Sequence, residues 1–113
     1  MPLPIVAVPG ILEDAASWAA ALAPLDRAVL VLANRGDTIA AMAQSLLARA
    51  PRRFVLLGHS LGGYVALQAA LAAPDRIGAL ALVSTSARPE TAEARAGRAA
   101  LVETARDDFA GVI

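Results

Sequence analysis

The sequence predicts an α/β fold built around a parallel sheet. Short apolar runs rich in β-branched residues alternate with longer alanine-rich stretches of helical period, which is typical of successive βαβ units. The runs are almost continuously apolar, as expected for strands that are covered on both faces. They lie at residues 5–8, 28–33, 54–57 and 77–83. We therefore expect four parallel strands.

Three helices are predicted between these strands. Asp14 is expected to cap the first helix and Asp37 the second, because a short side-chain oxygen can accept the free N–H groups of a first turn. The third helix begins at the glycines that follow Ser60 and ends at Pro74. The second helix carries one apolar stripe, formed by Ile39, Met42, Ala43, Leu46 and Leu47.

The pattern changes after the last predicted strand. Residues 84–89 are predicted to form a loop, and residues 90–109 a helical stretch rich in Arg and Glu. Its apolar face is narrow and consists of Leu101, Val102, Ala105 and Phe109. This face is too small for a core helix, so we expect the segment to lie over another part of the protein as a flap.

The composition excludes several classes of function. The chain of 113 residues has 10 basic and 10 acidic residues, and this balance argues against nucleic-acid binding. It has no cysteine, which excludes disulfides and cysteine nucleophiles. No stretch has the length and apolarity of a membrane span, and the N-terminus lacks the regions of a signal peptide. We expect one cytoplasmic domain without metal, cofactor or membrane attachment.

The segment GHSLGG at residues 58–63 contains a G-x-S-x-G motif. A predicted strand leads into the motif and a predicted helix leaves it, which is the context of a nucleophile elbow. Such a turn strains the serine backbone, and Gly58 and Gly62 would let the strand and the helix approach closely around it. Ser60 is therefore the candidate nucleophile. The alternative is a glycine-serine turn in a nucleotide-binding protein.

Two backbone N–H groups are candidates for an oxyanion hole. Leu61 follows the serine at a helix N-terminus, where partial positive charge favours a developing oxyanion. Ile11, in the loop after the first strand, is the candidate for the second donor, unless the Pro-Gly pair before it is only a turn. His59 is the only histidine. We predict a structural role for it, because adjacent strand residues point to opposite faces.

Nearly all of the chain resembles the amino-terminal half of an α/β-hydrolase. The resemblance rests on IVAVPGIL, the helix with Trp18, NRGD, GHSLGGYVAL, APDRI and ALALVSTSA. It implies that Ser60 is the nucleophile, that the N–H groups of Leu61 and Ile11 form the oxyanion hole, and that the strand order is 2-1-3-4. One departure is Pro9, where many members of the family have histidine.

The resemblance also implies a division of the chain. Residues 1–87 would belong to the hydrolase core, and residues 88–113 would begin the helical lid over the substrate pocket. In this family the catalytic acid and histidine follow the lid, so neither can be assigned here. The strand at 77–83 would be an unpaired apolar edge, which soluble proteins normally cover. We expect a truncated gene product or one half of a two-chain assembly, inactive alone.

Two functions remain open at this stage. In the first, the parent protein is a serine hydrolase that cleaves an ester or related acyl bond of a small apolar substrate. In the second, the chain is a non-catalytic binding module that associates with itself or a partner through the exposed edge strand. A downstream histidine and acid would favour the first, and a stop after Ile113 the second.

Overall fold

The computed structural model describes residues 2–25, 27–88, 90–108 and 111. Strands and helices alternate along the chain as β1 (Ile5–Val8), α1 (Ala15–Leu22), β2 (Val29–Val31), α2 (Ile39–Arg49), β3 (Phe54–His59), α3 (Leu61–Ala72), a 3₁₀ turn (Pro74–Arg76), β4 (Ile77–Val83) and α4 (Ala92–Asp107). The predicted strands are all present. β2 is shorter than predicted, and β3 continues to His59, directly before the candidate nucleophile.

The strands form one parallel sheet in the order β2-β1-β3-β4, which confirms the predicted fold class and strand order. In the centre, Val6 of β1 lies between Leu30 of β2 and Leu56 of β3. The carboxyl ends of β1 and β3 are neighbours, because Val8 pairs with Gly58. The loop after β1 and the turn after β3 therefore meet at the same edge of the sheet.

The core lies between the central strands and the α2–α3 pair. Side chains alternate along β3, so Phe54, Leu56 and Gly58 are buried toward these helices, while the residues between them are half-buried on the α1 side. The buried cluster consists of Val6, Val8, Ala43, Leu46, Leu47, Phe54, Leu56, Val65, Ala66 and Ala69. The apolar stripe predicted for α2 packs in or against this cluster, as expected.

Coverage of the sheet is uneven. Among the described residues β4 pairs with β3 alone, and it is exposed from Gly78 to Val83. The expectation that every strand is covered on both faces is therefore wrong for β4. Its apolar sequence suits a central strand, but no strand pairs with its outer edge among the described residues.

The observed N-cap residue matches the predicted one for α1 but not for α2. Asp14 caps α1, accepting a hydrogen bond from the Ser17 N–H at 2.8 Å, while the Ser17 hydroxyl accepts one from the Asp14 N–H. For α2 the prediction of Asp37 is wrong by one residue. Thr38 is the cap, because its hydroxyl lies three residues before Ala41 and accepts that N–H at 3.0 Å.

The helix α4 is separate from the core. None of its described residues is buried, as expected from its narrow apolar face. Phe109, which was predicted to extend that face, lies outside the described residues. Within the part of the chain that is described, no helix has the length and apolarity needed to cross a membrane.

The Arg76 side chain joins the end of α2 to the start of β4. Its guanidinium lies over the Phe54 ring, 5.7 Å from the centroid. It donates hydrogen bonds to four backbone carbonyls, those of Leu47, Ala50, Pro51 and Arg52. These carbonyls come at a helix C-terminus, where several have no partner within the helix. One planar cation thus satisfies the end of α2 and anchors the chain before β4.

The first turn of α3 packs directly against the end of β1. A Cβ atom at Gly62 would lie 2.1 Å from the carbonyl oxygen of Val8 and 2.6 Å from that of Pro9. Both neighbours are backbone atoms, which cannot move aside as a flexible side chain could. Only glycine permits this approach.

We expect Arg76→Ala to lower the free energy of unfolding by about 2 kcal/mol, because four carbonyls lose a charged donor. Arg76→Lys should recover only part of the loss, since an ammonium group lacks the planar fork of donors. The exposed neighbour Arg53 supplies the control, and Arg53→Ala should stay within about 0.5 kcal/mol of the parent. Urea unfolding measures all three, and equal effects of the two alanine variants would contradict the anchoring role.

Gly62→Ala should destabilise the protein by at least about 2 kcal/mol, because the new methyl group meets backbone oxygen and the gain in helix propensity is smaller. Gly97 in α4 is a matched control, since a Cβ there has nothing within 4 Å. Gly97→Ala should stabilise the protein by about 0.5–1 kcal/mol. Thermal unfolding tests the opposite signs, and a Gly62→Ala protein as stable as its parent would refute the close approach.

Candidate active site

Ser60 occupies a strained turn between β3 and α3. Its backbone has φ 54° and ψ −116°, a conformation that side-chain-bearing residues rarely adopt. Such a conformation costs about 1–3 kcal/mol and persists only where the surroundings impose it. The residue is exposed, and its side chain makes no capping hydrogen bond to α3. The strand, sharp turn and helix predicted around Ser60 are therefore present.

Hydrogen bonds from three directions hold the Ser60 backbone. Its N–H donates to the carbonyl oxygen of Val83 at 3.0 Å. Its carbonyl oxygen accepts from the Gly63 N–H and from the Thr85 hydroxyl, each at 2.9 Å. The end of β4 and the residues after it thus restrain the turn. Sequence reasoning missed Thr85, since nothing in the run Ser-Thr-Ser distinguishes it from an ordinary loop residue.

The glycines around the turn allow the close packing that was predicted. A Cβ at Gly58 would lie 2.5 Å from the Gly62 carbonyl oxygen and 2.8 Å from the Ala66 Cβ. A Cβ at Gly63 would lie within 2.6 Å of three Thr85 side-chain atoms. The strand, the helix and the end of β4 therefore converge on Ser60 at distances that no larger residue tolerates.

The two segments predicted to supply oxyanion donors both lie beside Ser60. Leu61 is the first residue of α3, so its N–H has no partner within the helix and lies at the positive end of the helix dipole. The loop after β1 reaches the same place, because a Cβ at Gly10 would lie 3.2 Å from the Ser60 Cβ. Ile11 follows in that loop and is 70% exposed. Its role as a donor stays a prediction.

A cleft of about 450 Å³ opens next to these groups. Ile11 and Leu61 form part of its wall, α3 forms a second part, and the segment leading into α4 closes the other side. Its lining residues are Ile11, Ile39, Leu61, Tyr64, Leu67, Gln68, Leu71, Ser86, Ala87, Arg88, Glu90 and Arg98. The α3 side is mainly apolar, and the opposite side holds an ion pair of Arg98 and Glu90 at 2.8 Å. The cleft therefore has one mainly apolar wall and one charged wall.

The His59 side chain is held on the α1 side of the sheet. Its Nδ1 lies 2.6 Å from Oε1 of Glu13, and its ring meets the Trp18 ring edge-on with 6.0 Å between centroids. Trp18 Nε1–H donates to the second oxygen of Glu13 at 2.5 Å. These contacts agree with the structural role expected for His59. Trp18 is buried and also lines a second cavity, of about 530 Å³, on this side.

Glu13 is a residue that sequence reasoning missed. Burial raises the pKa of its carboxyl, but the hydrogen bonds from Trp18 and His59, the charge of His59 and the Gly10 backbone outweigh that effect and hold the pKa below its ordinary 4.5. The carboxylate is therefore ionised at neutral pH and can accept from both ring N–H groups. No motif marks this position, which immediately precedes the α1 cap.

The described part of the chain contains no group of three or more His, Cys, Asp or Glu side chains arranged to hold a metal ion.

Comparison with known proteins identifies related esterases. A pimeloyl-[acyl-carrier protein] methyl ester esterase from Edwardsiella ictaluri is 52% identical over 54 residues, which are 45% of this chain and 21% of the relative. A thermophilic esterase from Thermogutta terrifontis, solved with malate bound, superposes with a TM-score of 0.78 and 31% identity. That match covers 94% of this chain and 45% of the esterase.

A hydrolase from Pseudomonas aeruginosa superposes with a TM-score of 0.69 and 30% identity over 90% of this chain and 45% of the hydrolase. The matched region thus spans under half of each of these two solved structures and about a fifth of the curated esterase. The model of the alpha/beta hydrolase fold matches residues 4–112. Because this match takes in nearly the whole sequence, the chain belongs to the α/β-hydrolase fold family.

Proposed function

We propose that this chain carries the nucleophile and the oxyanion-binding groups of a serine ester hydrolase. The observation that carries the proposal is the backbone of Ser60, held at φ 54° between a buried strand and a helix N-terminus. Backbone conformations that cost free energy cluster at active sites, and the position of this one between a strand and a helix N-terminus supports a mechanistic role for Ser60. The turn presents the hydroxyl at the surface and leaves the first N–H of α3 free for a ligand.

The reaction proceeds by acyl transfer through the serine. The Ser60 oxygen attacks the ester carbonyl carbon, and a histidine takes the hydroxyl proton. The carbonyl oxygen becomes an oxyanion that accepts hydrogen bonds from the N–H groups of Leu61 and Ile11. The C–O bond to the alcohol then breaks, the histidine returns its proton to the departing alcohol, and water later releases the acid from Ser60.

The histidine and its acid partner come from outside this sequence. His59 is the only histidine in the chain, and its ring is bound to Glu13 and packed against Trp18 on the α1 side. A base must lie within hydrogen-bonding reach of the serine hydroxyl, on the side where that hydroxyl emerges. The shortness of the chain relative to its esterase relatives fits this division.

The substrate is a carboxylic ester with a mainly apolar acyl part. Apolar side chains of α3 line the cleft beside Leu61, and its volume of about 450 Å³ suits a small molecule. The curated relatives are methyl ester esterases, which supports a small alcohol as the leaving group. Residues 88–113, which include α4, would begin a lid, because α4 has no buried described residue and the segment before it forms the far wall.

One observation favours a second candidate, a non-catalytic interaction module. Among the described residues β4 has one free edge, and Leu80, Leu82 and Val83 are between 37% and 45% exposed. An apolar edge of this kind pairs readily with another strand. In this reading the chain binds a second copy or a partner through β4, and Ser60 performs no chemistry.

Covalent labelling with a fluorophosphonate separates the two candidates. A longer protein that contains this sequence and a downstream histidine should be labelled at Ser60, and Ser60→Ala should abolish the labelling. The 113-residue chain alone should react at least about 10³-fold more slowly, because no base activates its hydroxyl. Intact-mass spectrometry and peptide mapping measure the extent and the position of the label.

Each contrary result has a distinct meaning. Rapid labelling of the isolated chain would refute the claim that the base lies elsewhere. Labelling of the longer protein at another residue would refute the nucleophile. A longer protein that stays unlabelled, while the isolated chain forms stable dimers, would favour the interaction module.

A further inference from the structure

We propose that Glu13 is a positioning residue, whose carboxylate ties the loop carrying Ile11 to the turn carrying Ser60. We call residues 9–13 the β1 loop. The inference rests on the proposed function, because it assigns Glu13 the task of holding one oxyanion donor at a fixed distance from the nucleophile. Glu13 itself is not among the residues that line the cleft beside Leu61.

Pro9 and Gly10 at the start of the β1 loop are buried, but the tip of the loop is not held by burial of its own side chains. Ile11 is 70% exposed and Leu12 is 72% exposed. Leu12 also has φ 63°, in the left-handed region that a branched side chain disfavours. A segment with this little packing and an unfavourable backbone conformation keeps its shape only if other contacts restrain it.

Hydrogen bonds restrain the loop at both ends. At its start, the Asn34 side-chain amide donates to the Pro9 carbonyl at 2.8 Å. At its end, the two oxygens of Glu13 bind the rings of His59 and Trp18 at 2.6 and 2.5 Å. Ile11 lies between the two attachments, so its N–H has a position that depends on both.

The attachment at Glu13 leads directly to the nucleophile. His59 is the residue before Ser60, so a carboxylate bound to the His59 ring links the β1 loop to the Ser60 turn. Gly10 lies between the two, since a Cβ there would meet Glu13 Oε1 at 2.5 Å and the Ser60 Cβ at 3.2 Å. Glu13 Oε1 and the Ser60 Cβ thus both lie within 3.2 Å of the position that a Gly10 Cβ would occupy, so the carboxylate, the loop and the serine are packed at one place.

Loss of the hydrogen bonds made by Glu13 would weaken stabilisation of the transition state. An oxyanion donor is effective only when it lies near 3 Å from the developing charge, and a displacement of 1 Å can lower the rate about 100-fold. Substrate binding in the cleft depends mainly on the apolar side chains of α3 and should change little. The expected signature is therefore a fall in kcat at nearly constant KM.

The test uses the longer protein described above and p-nitrophenyl butyrate as the substrate. Glu13→Ala should lower kcat by about 10- to 100-fold with KM within about twofold of the parent. Glu13→Gln should restore kcat to within about threefold, because its amide oxygen can accept from Trp18 Nε1–H and its amide nitrogen can hydrogen-bond with Nδ1 of His59. Asp75→Asn makes the same change of carboxylate to amide at an exposed site before β4, and should leave both constants unchanged.

A second readout needs no catalysis. The backbone ¹⁵N order parameter of Ile11 should fall from about 0.85 to below about 0.6 in Glu13→Ala and stay at the parent value in Glu13→Gln and Asp75→Asn. A folded Glu13→Ala protein with the parent kcat and an unchanged order parameter would overturn the proposal. So would a Glu13→Gln protein as slow as Glu13→Ala, since charge and not the hydrogen-bonded link would then matter.

Ser60→Ala, assayed in parallel, separates failure of this proposal from failure of the proposed function. If Ser60→Ala is inactive and Glu13→Ala is fully active, the nucleophile stands and only the positioning role is wrong. If Ser60→Ala retains the parent activity, the proposed function is wrong whatever Glu13 does.

Discussion

The close approach of α3 to the end of β1 is the constraint on which the rest of the site depends. Gly62 lies so near the Val8 carbonyl that no side chain fits between them. Because β1 and β3 are neighbours in the sheet, a helix that starts against β1 must leave β3 through a very tight turn. That turn consists of Ser60, and its positive φ is the geometric result. The helix N-terminus and the β1 loop reach the serine for the same reason.

The alternation of side chains along β3 separates two functions at this edge of the sheet. Gly58 faces the α2–α3 side and admits the helix, whereas His59 faces the α1 side and binds Glu13. The serine follows at the point where the strand ends, and its hydroxyl is exposed. A histidine adjacent in sequence to the serine is therefore used to hold the α1 side together. Two residues that are adjacent in sequence at the end of a strand can therefore face opposite sides of the sheet and take part in different interactions.

The sequence predicted the fold and the Ser60 turn because both depend on short-range patterns. Apolar runs, capping residues and the spacing of glycines around Ser60 are local features, whereas the strand order was implied only by the family resemblance. The cap of α2 was misplaced by one residue because Asp37 and Thr38 are both good caps and only the hydroxyl geometry distinguishes them. Glu13, Thr85 and Arg76 were not found, since their contacts join segments far apart in sequence.

The strained backbone of Ser60 is held most directly by the end of β4, which is the most exposed strand of the sheet. Its N–H binds the Val83 carbonyl and its carbonyl binds the Thr85 hydroxyl, although Val83 is 45% exposed and β4 has one free edge among the described residues. Local stability falls where few apolar groups are buried, so these two restraints open more readily than the contacts in the α2–α3 core. Any strand that pairs with the free edge of β4 stabilises the end of β4, and through it the Ser60 turn, by linkage. The geometry of the Ser60 turn therefore depends on whether a strand pairs with the free edge of β4.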